Sequence, residues 1–144
     1  MYGVMRKGFL YLDDGDSTYF FDRETGIMHT GWLKEEYEQL GKMETFEYYF
    51  FDSGKAATGF QTIDGKMYHF THGGLLEYGW IYFTDNDERY YADENGVLQT
   101  GWVKIKESYS DKENWYYFDD KGKMLTDWQK VSMMVIEFTE RWRR

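Results

Sequence analysis

A repeated motif constrains the fold of this chain more than any other feature of its sequence. Each copy is a run of aromatic residues, usually followed by an acidic residue, then a glycine, then Thr-Gly-Trp or a variant of it. Five copies align, with their runs set in register on these tyrosines: Tyr19, Tyr49, Tyr68, Tyr90 and Tyr116. A fixed repeat of this length is typical of stacked supersecondary units, each of which buries its apolar face against its neighbours. Functional residues are therefore expected between repeats.

The aromatic runs predict β-hairpins. Tyr, Phe and Trp favour the pleated surface of a strand, and the glycines between the runs mark turns. Side chains alternate along a strand, so Tyr116 and Phe118 should point to one face, and Trp115 and Tyr117 to the other. Aromatic residues make up 22% of the chain, which indicates a core built of rings. The predicted fold class is all-β, a solenoid of about five or six stacked β-hairpins.

The repeat pattern predicts one repeat domain over residues 1–131, without an internal boundary, and a non-repeat segment over residues 132–144. In that segment Met134, Phe138 and Trp142 recur at helical spacing. The spacing predicts a helical cap that covers the open end of the stack, as solenoids require. An unrelated or truncated chain end is the alternative.

Composition and charge exclude several classes of function. The net charge of -9 argues against a nucleic-acid partner, which would need a basic groove, and favours a cationic or neutral ligand. The chain has no cysteine and no stretch of about 20 apolar residues, so neither a disulfide framework nor a membrane span is expected. No apolar signal core follows Met1. Without a nucleophile elbow or a phosphate loop, and with histidines that lack a third ligand, we expect no catalytic residue, metal site or cofactor.

Two positions of the aligned repeat behave differently. The five tyrosines on which the runs are aligned do not vary and are assigned to the scaffold. The position before each of them is unrestricted and is occupied by Thr18, Tyr48, Met67, Arg89 and Trp115. This contrast indicates that the invariant position packs and that the variable position is free to contact a ligand.

The last copy carries a family resemblance. Trp115-Tyr116-Tyr117-Phe118-Asp119, Gly122-Lys123-Met124 and Thr126-Asp127-Trp128 resemble the cell-wall-binding repeat of Gram-positive bacterial and phage surface proteins, in its choline-binding form. The segment 58–70 is also similar to the carbohydrate-binding repeats of clostridial toxins and glucan-binding proteins. The resemblance covers about residues 8–131. It implies a hairpin solenoid, secretion or surface display, and non-catalytic attachment to bacterial cell-wall choline or polysaccharide.

In the choline-binding members, the resemblance implies a ligand site between consecutive hairpins, where aromatic rings surround the trimethylammonium group. A quaternary ammonium has no hydrogen-bond donor, so ring faces are its natural partners. Carried over position by position, the best such set is Trp102, Trp115 and Trp128, with Met124 nearby. A second set is Trp32, Tyr48 and Phe60. Next to Trp80, Arg89 would place a competing cation where the ligand should lie.

Two alternatives remain open at this point. In the first, the repeats bind a glycan, with a pyranose ring stacked on an aromatic face and its hydroxyl groups bonded to polar side chains. Those side chains would be Gln61, Asp64, Lys66 and His69. In the second, the repeats are a structural spacer that presents a separate catalytic or toxin domain, and the tryptophans of the predicted sites are then covered.

Overall fold

The computed structural model describes residues 5–12 and 17–125, which form ten β-strands. Their bounds are β1 (Gly8–Leu12), β2 (Ser17–Phe21), β3 (Gly31–Gln39), β4 (Lys42–Phe50), β5 (Gly59–Ile63), β6 (Lys66–Phe70), β7 (Gly79–Phe83), β8 (Glu88–Ala92), β9 (Gly101–Lys106) and β10 (Glu113–Phe118). Consecutive strands pair antiparallel into five two-stranded sheets. The predicted all-β class of repeated hairpins is thereby confirmed. Within these described ranges, no helix is long and apolar enough to cross a membrane.

The chain divides into two compact units, Met1–Glu77 and Tyr78–Arg144. The first unit contains the hairpins β1–β2, β3–β4 and β5–β6, and the second contains β7–β8 and β9–β10. The predicted boundary at residue 131 and the helical cap over 132–144 lie outside the described residues. Both stay predictions.

The glycine of each Thr-Gly-Trp motif opens the first strand of a hairpin. Gly101, for example, pairs with Phe118 at the start of β9 and has a φ of 73°. A positive φ is costly for residues that carry a Cβ atom, so glycine is required at this bend. The motif thus turns the chain into a new strand and places an aromatic residue second in it.

Main-chain hydrogen bonds join each hairpin to the one before it in the same unit. The segment that follows a hairpin donates an amide to a carbonyl in the second strand of the preceding hairpin. These bonds, each 2.8 Å long, run from Ala56 to Thr18, from Leu76 to Glu47 and from Met124 to Arg89. The accepting residue uses its main-chain carbonyl, so the bond itself places no requirement on the type of side chain at that position.

Aromatic contacts join the same hairpins. The ring that follows the opening glycine of one hairpin packs on a tyrosine in the second strand of the next. The centroid distances are 5.0 Å for Phe9–Tyr48, 5.0 Å for Trp32–Tyr68 and 4.9 Å for Trp80–Tyr116. Beneath these contacts lie the largest fully buried side chains, Phe50, Phe70 and Phe118. The core is therefore built of rings, as the composition indicates.

The second copy has a register that differs by one residue from the sequence alignment. In β5–β6 the opening Gly59 pairs with Phe70, two residues after the packed Tyr68. In β3–β4 the opening Gly31 pairs with Phe50, so the residue equivalent to Tyr68 is Tyr48. Since a shift of one residue exchanges the two faces of a strand, Tyr48 takes the packed position and Tyr49 the outward one.

The acidic residue after the aromatic run closes a turn. In the last copy, Asp119 Oδ1 accepts hydrogen bonds of 2.9 Å from the amides of Lys121 and Lys123. In the first copy, Asp22 Oδ1 accepts from the amides of Glu24 and Thr25 at 2.9 and 2.8 Å. A short carboxylate that satisfies nearby amides favours turns of this kind. The repeated aspartate is therefore structural.

These amide bonds predict a measurable pKa. The hydrogen bonds from Thr25 and then Glu24 lower the pKa of Asp22 below its ordinary value of 3.8. A lowered folded-state pKa means that this contribution to stability is present above the unfolded-state pKa and is lost as the pH falls through the folded-state value. We expect the Asp22 carboxyl carbon, followed by NMR, to titrate below pH 3.8 in the folded protein and to return to its ordinary midpoint in urea. Identical midpoints in the two states would contradict the turn assignment.

Candidate functional site

An exposed aromatic face lies on the hairpin β9–β10. In its register Trp102 pairs with Tyr117, and Lys104 pairs with Trp115, so these four side chains share one face. The fully buried Phe118 lies on the opposite face, which confirms the alternation predicted for this strand. Trp102 is 42% exposed and Trp115 is 58% exposed. Two of the three tryptophans in the first predicted set thus present ring surface on the same side of one hairpin. We call Trp102, Trp115 and Tyr117 the aromatic face.

Neighbouring groups give the aromatic face its geometry and charge. Tyr117 meets the Trp102 ring edge to face, with a centroid distance of 5.1 Å and an interplanar angle of 71°. Lys104, opposite Trp115, is joined to Glu113 by an ion pair of 3.1 Å. Because this carboxylate neutralises the lysine, the cation opposite Trp115 in the register is already paired. The face therefore remains chemically suited to an external cation.

Of the other two members of the first predicted set, the structure describes Met124 but not Trp128. The Met124 amide donates to the Arg89 carbonyl, and Met124 forms an isolated bridge with Phe118. Its backbone thus joins β9–β10 to the preceding hairpin, and its side chain is half-buried. Trp128 lies outside the described residues, so its place in the set stays a prediction.

The second predicted set is divided between two faces of its hairpin. Trp32 is partly exposed and pairs with Tyr49, whose ring lies 5.1 Å away. Tyr48 is 8% exposed and points to the packed face, where burial raises its pKa to about 12. Phe60, in the next hairpin, is exposed and packs against His69 at 4.5 Å. The aromatic neighbour of Trp32 on its own hairpin is therefore Tyr49, which the sequence alignment had assigned to the scaffold.

The side chains expected to bond a glycan are dispersed. Gln61 pairs with the packed Tyr68 and donates from Nε2 to the Thr58 carbonyl at 2.9 Å. His69 lies on the other face, is buried, and bonds from Nδ1 to Glu77 at 2.5 Å. Asp64 and Lys66 lie at the exposed end of this hairpin. The structure does not bring these four together on one surface.

A cavity of about 320 Å³ lies between the hairpins β7–β8 and β9–β10. It is lined by Trp80, Ile81, Tyr82, Arg89, Glu107 and Tyr116. The register pairs Tyr82 with Arg89, and the Arg89 guanidinium carbon lies 4.8 Å from the centre of the Tyr82 ring. Arg89 and Trp80 thus line the same cavity, with the guanidinium over the Tyr82 ring.

A carboxylate occupies the other side of this cavity. Glu107, directly after β9, accepts hydrogen bonds from Tyr116 Oη at 2.5 Å and from Asn114 Nδ2 at 2.7 Å. These two bonds, of which the one from Tyr116 has the larger effect, lower the pKa of Glu107 below its ordinary value and favour its ionised form. The same bond to Glu107 raises the pKa of Tyr116. Over residues 5–12 and 17–125, no three His, Asp or Glu side chains are grouped as metal ligands.

Three of the residues that line this cavity, Ile81, Tyr82 and Glu107, were not singled out from the sequence. Tyr82 is two residues beyond Trp80 in β7, so strand alternation alone would have placed both on one face. Glu107 lies directly after β9, outside the repeated motif. No sequence signal placed it beside Tyr116.

Comparison with known families agrees with the hairpin architecture. The family model described as cell wall binding repeat matches residues 79–98 and 100–124. These two segments are the hairpins β7–β8 and β9–β10 with the turns that follow them. The resemblance inferred from the last copy is therefore confirmed by an independent match to the same family.

Individual relatives extend this likeness over more of the chain. Glucosyltransferase-S of Streptococcus downei is 34% identical over 106 residues, which are 72% of this chain and 7% of the relative. The crystal structure of choline binding protein F from Streptococcus pneumoniae, in the presence of a peptidoglycan analogue, is 32% identical with a TM-score of 0.59. That match covers 84% of this chain and 35% of the other. This chain therefore spans only part of the length of each relative.

Proposed function

Because this chain carries repeats of the cell wall binding family, we propose that it is a non-catalytic attachment module for a choline-bearing cell-wall polymer, such as a teichoic acid, at the bacterial surface or after secretion. The aromatic face of β9–β10 is its main ligand site. Trp102 and Trp115 supply the ring surfaces, and Trp128 and Met124 complete the site in the arrangement that the repeat family implies. The two relatives are streptococcal proteins, and one carries choline in its name.

One observation supports this proposal above the others: two tryptophans and a tyrosine lie on the same exposed face of one hairpin. Packing alone does not require Trp115 to keep 58% of its surface in water. A structural spacer would cover these rings. Each contact between a ring face and a quaternary ammonium contributes about 0.5 to 2 kcal/mol, so several rings together give the weak, saturable affinity of a repeated attachment site. The net charge of -9 favours a cationic ligand.

We expect choline chloride to change the tryptophan fluorescence saturably at millimolar concentration, and tetramethylammonium to do the same. Substitution Trp115→Ala removes an exposed ring from the aromatic face and should weaken this affinity by about tenfold or more, since one lost contact of about 1.4 kcal/mol has that effect. Fluorescence titration at constant ionic strength, with sodium chloride as the salt control, measures it.

Tyr109→Ala provides the matched control. Tyr109 is 82% exposed, belongs to the same hairpin and lies in the loop between β9 and β10, outside the strands that carry the aromatic face. The control variant should bind choline like the unmodified chain. A response no larger than that of sodium chloride, or equal losses in both variants, would refute choline binding at this face.

A further inference from the structure

The chain contains three asparagines, and only one of them is followed by glycine. Asn95 precedes Gly96 in the turn after β8, whereas Asn86 precedes an aspartate and Asn114 a tryptophan. An asparagine side chain is attacked by the amide nitrogen of the residue that follows it. Glycine places no Cβ atom in the way of this attack and allows the widest range of φ. The Asn95–Gly96 pair is therefore the sequence in this chain that is most reactive toward deamidation.

The reaction needs no partner other than water. The Gly96 nitrogen, after losing its proton to a base in solution, attacks Cγ of Asn95 and forms a new N–C bond. The bond from Cγ to the side-chain nitrogen breaks, ammonia leaves, and a succinimide ring remains. Water then opens this ring at either of its carbonyl groups, which gives aspartate or isoaspartate, the latter with its main chain running through Cγ. Water is consumed and ammonia released, and nothing is oxidised or reduced.

The folded turn restrains the attacking atom. The Gly96 amide donates to the Asp93 carbonyl at 2.9 Å, and Gly96 is buried with a φ of 81°. Asp93 Oδ1 also accepts from the amides of Asn95 at 2.9 Å and Val97 at 3.0 Å. We call residues 93–97 the Asp93 turn. A base in solution does not reach the Gly96 proton while this amide is buried and bonded, so the exposed Asn95 side chain reacts only when the Asp93 turn opens.

The chain that leaves the Asp93 turn enters β9, the first strand of the hairpin that carries the aromatic face. Leu98 forms a bridge with Ala92 and is 4% exposed. The Gln99 amide donates to the Tyr91 carbonyl at 2.8 Å. Both contacts join this segment to β8, so they depend on the number of main-chain atoms in the turn.

The products of the reaction change the turn in two ways. Isoaspartate lengthens the main chain by a methylene group, which displaces the amides of Gly96 and Val97 from the oxygens of Asp93. Both products place a further negative charge next to Asp93 and Glu94, and like charges repel. We propose that Asn95 is a modification site, which converts into aspartate and isoaspartate when the Asp93 turn opens, and that isoaspartate then prevents the turn from closing.

The test follows Asn95 in the full chain. The tryptic peptide 90–104 contains no other asparagine, so mass spectrometry of this peptide during incubation at constant pH and temperature reports this site alone. We expect deamidation in native buffer to be about tenfold slower than in urea, or slower still, because opening the turn breaks at least one net hydrogen bond. Asp93→Ala removes the side-chain acceptor of the Asn95 and Val97 amides, and should raise the rate in native buffer by about tenfold.

Asp119→Ala is the matched control. Asp119 holds the same place in the turn after β10, in the same unit, where its Oδ1 accepts from the amides of Lys121 and Lys123. This variant should leave the deamidation rate of Asn95 unchanged. Equal acceleration by both variants would mean that the unit opens as a whole, and would contradict gating by the Asp93 turn.

Asn95→Lys tests the effect of the product. Lysine holds the equivalent place in the last copy, at position 121, and forms no succinimide. After the same incubation, the isoaspartate fraction of the unmodified chain, identified by labelling with an isoaspartyl methyltransferase, should unfold at a lower urea concentration than before. The incubated N95K variant should keep its midpoint.

Three results would overturn the proposal: no deamidation of Asn95 in urea, equal rates in urea and in native buffer, or an unchanged urea midpoint in the isoaspartate fraction. None of these measurements involves choline. This proposal and the proposed function therefore fail independently.

Discussion

Substitution of Phe50 by alanine should lower the free energy of unfolding of the first unit by about 3 to 5 kcal/mol, the range for a large aromatic residue removed from a core. Phe50 is 1% exposed. Its ring lies 5.9 Å from Tyr48 and 5.7 Å from His29, so it joins the packed tyrosine to the turn before β3. Alanine leaves a cavity that the surrounding main-chain bonds prevent from closing. Urea unfolding followed by near-UV circular dichroism measures the loss.

The adjacent Phe51 offers a matched control, because it is the same residue type at 36% exposure. Its ring contacts Tyr49 rather than the core. Phe51→Ala should therefore cost about 1 kcal/mol or less, near the range for surface substitutions. Equal losses for the two variants would contradict the register of the second copy, because an alignment on Tyr49 gives Phe51 the equivalent place to the buried Phe70.

Repetition explains why the sequence predicted the fold class well. Glycine, an aromatic residue and an alternating aromatic run recur together, and each instance satisfies the local requirements of a strand, a turn or a packed ring. Trp115 and Phe118 fell on the predicted faces because the turn of this copy begins at Asp119, which places Tyr116 on the packed face and Tyr117 on the outward one. In that copy the turn residues and the packing between hairpins favour the same register.

In the second copy the repeat pattern did not predict the register correctly. Four consecutive rings, at positions 48–51, can be placed in two frames, and either frame puts a tyrosine on the packed face. The turn decides between them. The Phe51 amide bonds to the Lys55 carbonyl, as that of Asp119 bonds to Lys123, so Phe51 occupies the place that an aspartate holds in other copies. Asp52, which follows this run in the sequence, therefore lies one residue later in the turn than the aspartate of the last copy.

The residues of the candidate sites were predictable only where they lie on strands. Trp102 and Trp115 follow from the repeat, because strand alternation fixes the direction of each side chain. Glu107 does not, because it follows a strand of irregular length, and its contact with Tyr116 depends on how the loop 107–112 folds back. That carboxylate is one of the two charged groups that line the cavity. Sequence repetition therefore identified the aromatic face but not the charged cavity.

Gly74→Ala should destabilise the first unit by about 2 to 5 kcal/mol, from two additive causes. Gly74 has a φ of +92°, which costs a residue with a Cβ atom about 1 to 2 kcal/mol. Its new Cβ would also lie 2.9 Å from the Cβ of Ala56 and 3.4 Å from Cδ1 of Tyr48. Both neighbours are buried, so the overpacking adds about 1 to 3 kcal/mol. Urea unfolding of the variant gives the total.

Gly65→Ala separates these two causes. Gly65 also has a positive φ, +80°, but a Cβ built there meets no atom within 4 Å. This variant should show the backbone strain alone, reduced by the smaller entropy of its unfolded chain, and cost about 1 kcal/mol. The difference in unfolding free energy between the two variants then measures the cost of overpacking where the turn after β6 contacts the preceding hairpin. Equal losses would mean that the turn can move away from Ala56, and that main-chain bonds such as that from Leu76 to Glu47 hold the hairpins together without close packing.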